Sequence, residues 1–262
     1  MKTGPNEARK TKVGLPGLIP IFTLCLTAPV LADTMVEYQT EFRSFEGARL
    51  RSQLDSKTFG WIAADRARLD RTEKSVIFRA DERKMYFLDH KTKTWQQLAV
   101  PVKLEDHFVG ERKAMLAEML AEHAGPVEVE ESPEPEKIGS WVTRKLEISG
   151  KTATLGSRET VEVWNTTELK LHRSPYDELR RNLAALNPSA RRWTEHALAF
   201  DGFTVKQTVS IEDVRRRTQV TNQLVAVAER DPPEGHYSPP ADYREVPFDV
   251  SQYVQILTAP RP

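Results

Sequence analysis

Six histidines are the residues of this sequence best suited to acid–base or metal chemistry, yet they form no recognised motif. No two stand at the spacing of a helical zinc pair, and His-Glu-x-x-His does not occur. The sequence also lacks a Gly-x-Ser-x-Gly nucleophile elbow and a glycine-rich phosphate loop. A triad assembled from distant segments stays open. The six are His90, His107, His123, His172, His196 and His236.

Asp89-His90 is a neighbouring acid–base pair, but it falls in a predicted hairpin turn. Turns commonly carry polar residues for conformational reasons alone. The sequence therefore predicts a protein that is not an enzyme, with no catalytic residue, no metal ligand and no cofactor.

Aromatic residues on predicted strands are a more informative feature. One interpretation is an ordinary sheet core, since apolar strand faces usually pack on something. The other is a ligand cavity, because a strongly curved sheet with few helices cannot fill its own concave face. Methionines on the first predicted helix suit a lid or plug, although core packing explains them as well. The candidate cavity residues are Trp61, Leu69, Phe78, Phe87, Met115, Met119, Trp141 and Trp164.

Alternation of apolar and polar residues predicts the strands that must position these side chains. The pattern is clear at 36–44 and at 203–211, and it slips near Gln223 as a β-bulge would cause. The acidic stretch 128–137 is interpreted as a loop or a weak edge strand. The other predicted strands are 59–70, 75–79, 84–89, 94–100, 139–149, 159–164 and 218–228.

Two helices are expected among these strands. Residues 111–123 have apolar side chains at helical spacing, and residues 174–186 begin with Ser174 as N-cap and Pro175 at the first helical position. A proline-rich segment from Asp231 should cover the sheet. The fold class is thus α+β and mainly β, with one strongly curved antiparallel sheet, a half-open β-barrel, and about two helices over its concave face.

The first 32 residues have the three parts of a secretory signal peptide. Lys2, Arg9, Lys10 and Lys12 precede an uncharged apolar stretch, and Val30 and Ala32 suit cleavage before Asp33. An uncleaved anchor helix is the alternative, but three prolines make the stretch a poor membrane span. We expect export to a bacterial periplasm, one domain over 33–262, and no stable transmembrane anchor.

Cleavage would also change the chemistry of the chain. It removes Cys25, the single cysteine, so the mature chain has no thiol or disulfide. The whole sequence has 38 basic and 38 acidic residues, and cleavage removes four basic residues and one acidic residue. The remaining 34 basic and 37 acidic residues give a net charge of −3. That balance does not favour nucleic acid as a partner.

A family resemblance adds to this interpretation. The carrying residues are Gly60-Trp61-Ile62, Ala67 to Asp70, Met85 to Asp89, Ile138 to Trp141, Glu162-Val163-Trp164 and the tyrosine- and proline-containing run Tyr237 to Tyr243. Their order resembles the exported lipoprotein-carrier superfamily, and more closely a bacterial domain family of unknown function thought to share its fold. The resemblance implies a half-open barrel with a helical lid and an apolar interior.

The leading hypothesis is a monomeric periplasmic binding or carrier protein for a lipid, a lipid-linked chain or another apolar ligand. The chain departs from the family pattern in its acidic 128–137 insertion and its long second helix, both of which could cover the opening. A cell-envelope interaction module with a filled barrel and a protein partner is the first alternative. An exported hydrolase with a dispersed site is the second.

Overall fold

The computed structural model describes residues 32–151 and 157–250. The predicted signal sequence and Cys25 lie outside the described residues. The described chain forms one sheet with helices packed on one of its faces. None of its helices combines the length and the apolar character needed to cross a membrane.

Thirteen strands form the sheet in the described ranges, and every pairing except β6 with β13 is antiparallel. Their order in space is β13-β6-β5-β4-β3-β2-β1-β12-β11-β10-β9-β7, with β8 also on β9. The sheet is curved and does not close, as expected for a half-open barrel. The strands are β1 (Asp33–Glu46), β2 (Arg49–Ile62), β3 (Arg66–Asp70), β4 (Lys74–Arg79), β5 (Lys84–Asp89), β6 (Thr94–Ala99), β7 (Glu128–Glu131), β8 (Glu136–Ile138), β9 (Trp141–Lys151), β10 (Arg158–Thr166), β11 (Phe203–Glu212), β12 (Arg216–Arg230) and β13 (Arg244–Glu245).

The expected single strand over 59–70 is wrong, because β2 and β3 form a hairpin there. β2 also starts ten residues earlier than the expected strand, at Arg49. Its outer half pairs with β1 but is exposed, so no apolar alternation marks it in the sequence. The expected bulge is confirmed near Gln223: the register between β1 and β12 skips Val225.

Three α-helices are present in the described residues, where the sequence predicted about two. The first, α1 (Glu111–His123), has its expected bounds. The third, α3 (Pro188–Ala199), was missed although its start carries a clear signal. Asn187 is its N-cap, accepting from the backbone N–H of Ser189 at 3.1 Å, and Pro188 is the first helical residue.

The second helix, α2 (Arg173–Ala185), begins two residues before Pro175, the expected first helical residue. Ser174 therefore lies inside the helix and is not its N-cap. Arg173 joins the first turn because its guanidinium pairs with Asp177 at 2.6 Å, one turn further on. It also donates to the backbone carbonyl of Leu198 at 2.7 Å. The side chain thereby ties the start of α2 to the end of α3.

The main core lies between the sheet and the helices. Strand residues such as Val36, Ile62 and Phe78 meet Leu116 of α1 and Leu179 of α2 in one buried cluster. Neighbouring residues along the same strands point the other way, as the period of two requires. This helix-covered face holds most of the buried apolar side chains and contains the cavities described below.

The opposite face has its own cluster, which the C-terminal segment covers. Trp61, Ile77, Tyr86 and Leu88 pack there with Tyr237. The Tyr237 hydroxyl donates to Asp33 Oδ2 at 2.7 Å. Farther along, β13 pairs with β6. The expected irregular covering segment is therefore present. Tyr237 and Tyr243 lie on the face away from the helices, whereas Phe248 packs against the main core.

His236 is the titratable group at the centre of this attachment. Its ring packs edge-on against Trp61 with centroids 4.7 Å apart, and its backbone carbonyl accepts from Arg68. Burial lowers the pKa of His236 and Arg68 lowers it further, while Asp70 and Asp33 act in the opposite direction. The folded protein thus holds this histidine neutral more strongly than the unfolded chain does.

We predict that acidification weakens the fold through His236. Because its folded pKa is lower than its unfolded value of 6.5, the unfolded chain binds the proton better, and the free energy of unfolding falls as pH drops through that value. Urea unfolding between about pH 8 and pH 5 measures the slope. His236→Gln should reduce it, whereas substitution of the exposed His196 should not. Equal slopes for wild type and His236→Gln would contradict the prediction.

Candidate ligand-binding site

A cavity of about 470 Å³ lies between α2, α3 and the helix-covered face of the sheet. Its walls come from β1 to β3, from β10 to β12 and from both helices. Most of the exposed lining is apolar, supplied mainly by Leu69, Leu183, Val209, Ile211 and Val220. The volume falls within the range of about 300–1,000 Å³ typical of small-molecule sites.

Helix α2 gives the cavity its inner wall. Tyr176, Arg180 and Leu183 follow at spacings of four and three residues, so one helix face presents them together. A close approach of strand β2 accompanies this wall: a Cβ at Gly60 would lie 2.6 Å from Val36 Cγ2 and 3.6 Å from the Tyr176 ring. The absence of a side chain at Gly60 makes room for Val36 of the neighbouring strand β1, and the Tyr176 ring packs over this point at an ordinary contact distance.

Polar groups gather where Tyr38 and Tyr176 line the cavity. The Tyr38 hydroxyl donates to the Thr204 carbonyl at 3.1 Å, and burial raises the pKa of both tyrosines. Arg180 donates to Thr204 Oγ1 at 3.2 Å and to Gln207 Oε1 at 3.5 Å. Both hydroxyls therefore stay protonated, and the guanidinium is held by neutral oxygens.

Glu159 lies elsewhere on the cavity wall and anchors α3. Its carboxylate is 4% exposed and accepts from Arg192 and from Trp193 Nε1, each at 3.2 Å. Burial raises the pKa of Glu159, while Arg192 and Trp193 lower it. A charge pair this deeply buried is costly to break, so these contacts fix the helix against β10.

A second cavity of about 610 Å³ adjoins the first. The two share Leu69, Arg71 and Leu183 as lining residues. The second extends over Val76 and Phe87 towards β6 and the C-terminal segment. Together the two cavities provide space for an elongated ligand, with Arg71 at the junction between them.

The structure separates the eight candidate residues of the sequence analysis. Leu69 lines both cavities, and Phe87 lines the second. Phe78, Met119 and Trp164 are buried in the main core, and Trp141 packs partly against it. Met115 is half-buried on α1 without lining either cavity. Trp61 lies on the opposite face, under the C-terminal segment.

Trp164 illustrates why an aromatic strand residue need not line a cavity. Lys206 Nζ lies 4.3 Å and Lys145 Nζ 5.3 Å from its ring centroid, and its indole N–H donates to Glu136 at 3.0 Å. Cations over the ring and a carboxylate at its edge satisfy this side chain within the protein. It is a packed residue of the fold.

The cavity residues missed by sequence reasoning are chiefly those with polar atoms, Tyr38, Arg71, Glu159, Tyr176, Arg180 and Trp193. The helical spacing of Tyr176, Arg180 and Leu183 was a usable signal for three positions of the cavity wall. Glu159 and Trp193 offered none, because only the fold brings β10 and α3 together.

A Ser–His pair on the opposite face bears on the hydrolase alternative. Ser75 Oγ lies 2.7 Å from His90 Nε2, and Tyr243 OH lies 2.8 Å from His90 Nδ1. Ser75 is 1% exposed and donates to Asp70, so a substrate has no approach to its hydroxyl. The pair fastens Tyr243 and the C-terminal segment to the sheet. His90 is thus more than the polar turn residue expected from the sequence.

Within residues 32–151 and 157–250, no group of three or more His, Cys, Asp or Glu side chains is arranged to hold a metal ion.

The solved structures that resemble this chain include two distant likenesses. The chain is similar to "Structure of PNGF-II in P21 space group" at 9% identity and TM-score 0.39, covering 85% of this chain and 33% of that one. It thus spans about a third of that protein. It is also similar to "Crystal structure of MucB in complex with MucA(peri)" at 9% identity and TM-score 0.14, covering 75% and 94%. At these scores neither likeness supports an argument about fold or function.

Comparison with protein families is more decisive. No curated protein matches the sequence. Residues 62–243 match the family described as "Domain of unknown function (DUF4412)". The match runs from the end of β2 to the C-terminal segment, and so includes α2, α3 and strands β3 and β10 to β12 of the cavity wall, while β1 and nearly all of β2 precede it. The chain therefore belongs to the DUF4412 family of unknown function.

Proposed function

We propose that this protein is a non-enzymatic binding or carrier protein for a lipid-like ligand, which occupies the cavity between α2, α3 and the sheet. One observation carries the proposal: the core leaves a largely apolar cavity of about 470 Å³ beside a second of about 610 Å³. Apolar cavities of this size favour apolar ligands, since burial of ligand surface stabilises the complex.

The placement of the helices supports the same proposal. α2 and α3 cover one part of an open sheet, and the half-exposed Leu183 lies at the junction of the two cavities. This agrees with the helical lid that the lipoprotein-carrier resemblance implies. We therefore propose that the chain is related to the lipoprotein carriers, and that its ligand is the acyl chain of a lipid or of a lipid-linked protein.

Export completes the proposed role. The N-terminal sequence has the pattern of a signal peptide, and cleavage before Asp33 would release a cysteine-free chain. A bacterial periplasm is the compartment in which such a carrier would meet envelope lipids. The mature chain is then expected to work without a membrane anchor.

A cell-envelope interaction module is the second candidate function, and the outer half of β2 favours it. Over residues 49–58 this strand pairs, among the described residues, with β1 alone, so no described strand covers its other edge. Leu50 is 46% and Leu54 67% exposed there. Open strand edges accept a partner strand readily. A stable protein partner recovered without lipid would favour this function over the first.

The first test fills the cavity. Ala190→Trp, on the cavity side of α3, should lower the affinity for the neutral apolar dye N-phenyl-1-naphthylamine by about tenfold or more, because the indole takes the space of the ligand. Fluorescence titration measures the affinity. Ala117→Trp on the exposed side of α1 is the matched control and should bind like wild type.

Thermal unfolding shows whether both tryptophan variants are folded. Equal dye binding by the folded Ala190→Trp variant would contradict a ligand in this cavity. Mass spectrometry of organic extracts from purified protein gives an independent result, and repeated absence of lipid together with absence of dye binding would overturn the proposed function.

A second test concerns export. Expressed with its own N-terminus in a Gram-negative host, the protein should reach the periplasm with Asp33 as its first residue, by intact mass. Ala32→Arg should block this cleavage, since the position before the cut requires a small side chain. A wild-type product that retains residues 1–32 would contradict cleavage at this site.

A further inference from the structure

We propose that the ligand carries an anionic head group, a carboxylate or a phosphate, which binds Arg180 and Arg71 while the apolar chain lies along the cavity. The inference rests on the proposed function and adds the chemical class of the ligand. It follows from two cations on a largely apolar wall, whose charges no carboxylate of the described residues pairs with.

Arg180 is the first of these cations. It is half-buried, and its two hydrogen bonds go to uncharged oxygens, Thr204 Oγ1 and Gln207 Oε1. In the described part of the chain, no carboxylate oxygen comes within the 4.0 Å that defines an ion pair with it. A guanidinium removed from water normally gains a charged partner. The two hydrogen bonds to uncharged oxygens orient the guanidinium group of Arg180 and leave its positive charge available to a ligand.

The nearby carboxylates are already engaged. Asp177, one turn before Arg180 on α2, pairs with Arg173 at 2.6 Å. Glu159, the acidic residue of the cavity wall, pairs with Arg192. The wall therefore carries an excess of positive charge, although the mature chain as a whole is slightly acidic.

Arg71 is the second cation, and it converges with the first. It follows the end of β3, is exposed, and borders both cavities. Arg180, Arg71 and Tyr176 all line the first cavity, and both arginines act against the burial-driven rise in the pKa of Tyr176. An anion at that point would meet two guanidinium groups and a tyrosine hydroxyl.

The apolar walls define where the rest of the ligand lies. From the junction at Leu69, Arg71 and Leu183, the first cavity continues over Val209 and Val220. A head group at the junction would thus stay near water at the exposed Arg71, while an alkyl chain is buried. This arrangement fits a single-chain anionic amphiphile.

Three ligands of equal chain length test the inference, namely dodecanoate, dodecyl phosphate and dodecanol. Their affinities are measured by displacement of N-phenyl-1-naphthylamine. Wild type should bind at least one anionic ligand about tenfold or more tightly than dodecanol, because hydrogen bonds to charged groups are the stronger ones. Arg180→Gln should remove most of this preference, measured as the ratio of the affinity for the anionic ligand to the affinity for dodecanol.

Arg181→Gln is the matched control. Arg181 is the next residue on α2, but it pairs with Glu178 and with Glu195, the latter at 2.8 Å, and lines neither cavity. This variant should keep the wild-type preference for the anionic ligand. Tighter binding of dodecanoate assigns a carboxylate head group, and tighter binding of dodecyl phosphate assigns a phosphate.

Failure of the inference differs from failure of the proposed function. Equal binding of all three ligands by wild type and by Arg180→Gln would overturn the anionic head group and leave an apolar carrier. Loss of the preference in Arg181→Gln as well would also contradict the assignment to Arg180. Absence of binding by dye and by every ligand would overturn the proposed function itself.

Discussion

Packing of α2 against the helix-covered face of an open sheet is the constraint on which the rest of the structure depends. Tyr176 and Leu179 bury one side of the helix, and the ring of Tyr176 packs over β2 at Gly60. The same helix face then continues to Arg180 and Leu183, which line the cavity at the edge of the packed core. The contact that stabilises the fold thereby also sets the cavity wall.

Two further attachments keep the open sheet in shape, and both use polar groups. The Glu159–Arg192 pair and the Trp193 indole hold α3 on β10. On the opposite face, Arg68 and Tyr237 hold the C-terminal segment over the second cluster. These polar groups are buried or half-buried. Leaving one of them without a partner would therefore cost more free energy than its hydrogen bond contributes to stability. They fix the position of elements that the apolar core alone would not determine.

The sequence predicted the class of the fold better than the residues of the site. Alternation and helical spacing depend on local neighbours, which explains why α1 and β5 have their expected bounds. The face to which an aromatic points depends on register and on what covers the sheet. Trp61 and Trp164 therefore looked like cavity residues, although one meets His236 and the other is flanked by lysines. Tertiary contacts also place Arg180 on the cavity wall, a position that no motif of the sequence indicates.

Photochemical labelling tests the central claim most directly, since it reports where a ligand lies. The probe is dodecanoate with a diazirine at the end of the chain, and the labelled peptides are identified by mass spectrometry. We expect labels on cavity residues of β11, β12 and α2, such as Val209, Val220 and Leu183, and their loss when excess dodecanoate competes. Labels on the cluster around Trp61, or labels spread over the surface without competition, would contradict a binding site between the helices and the sheet.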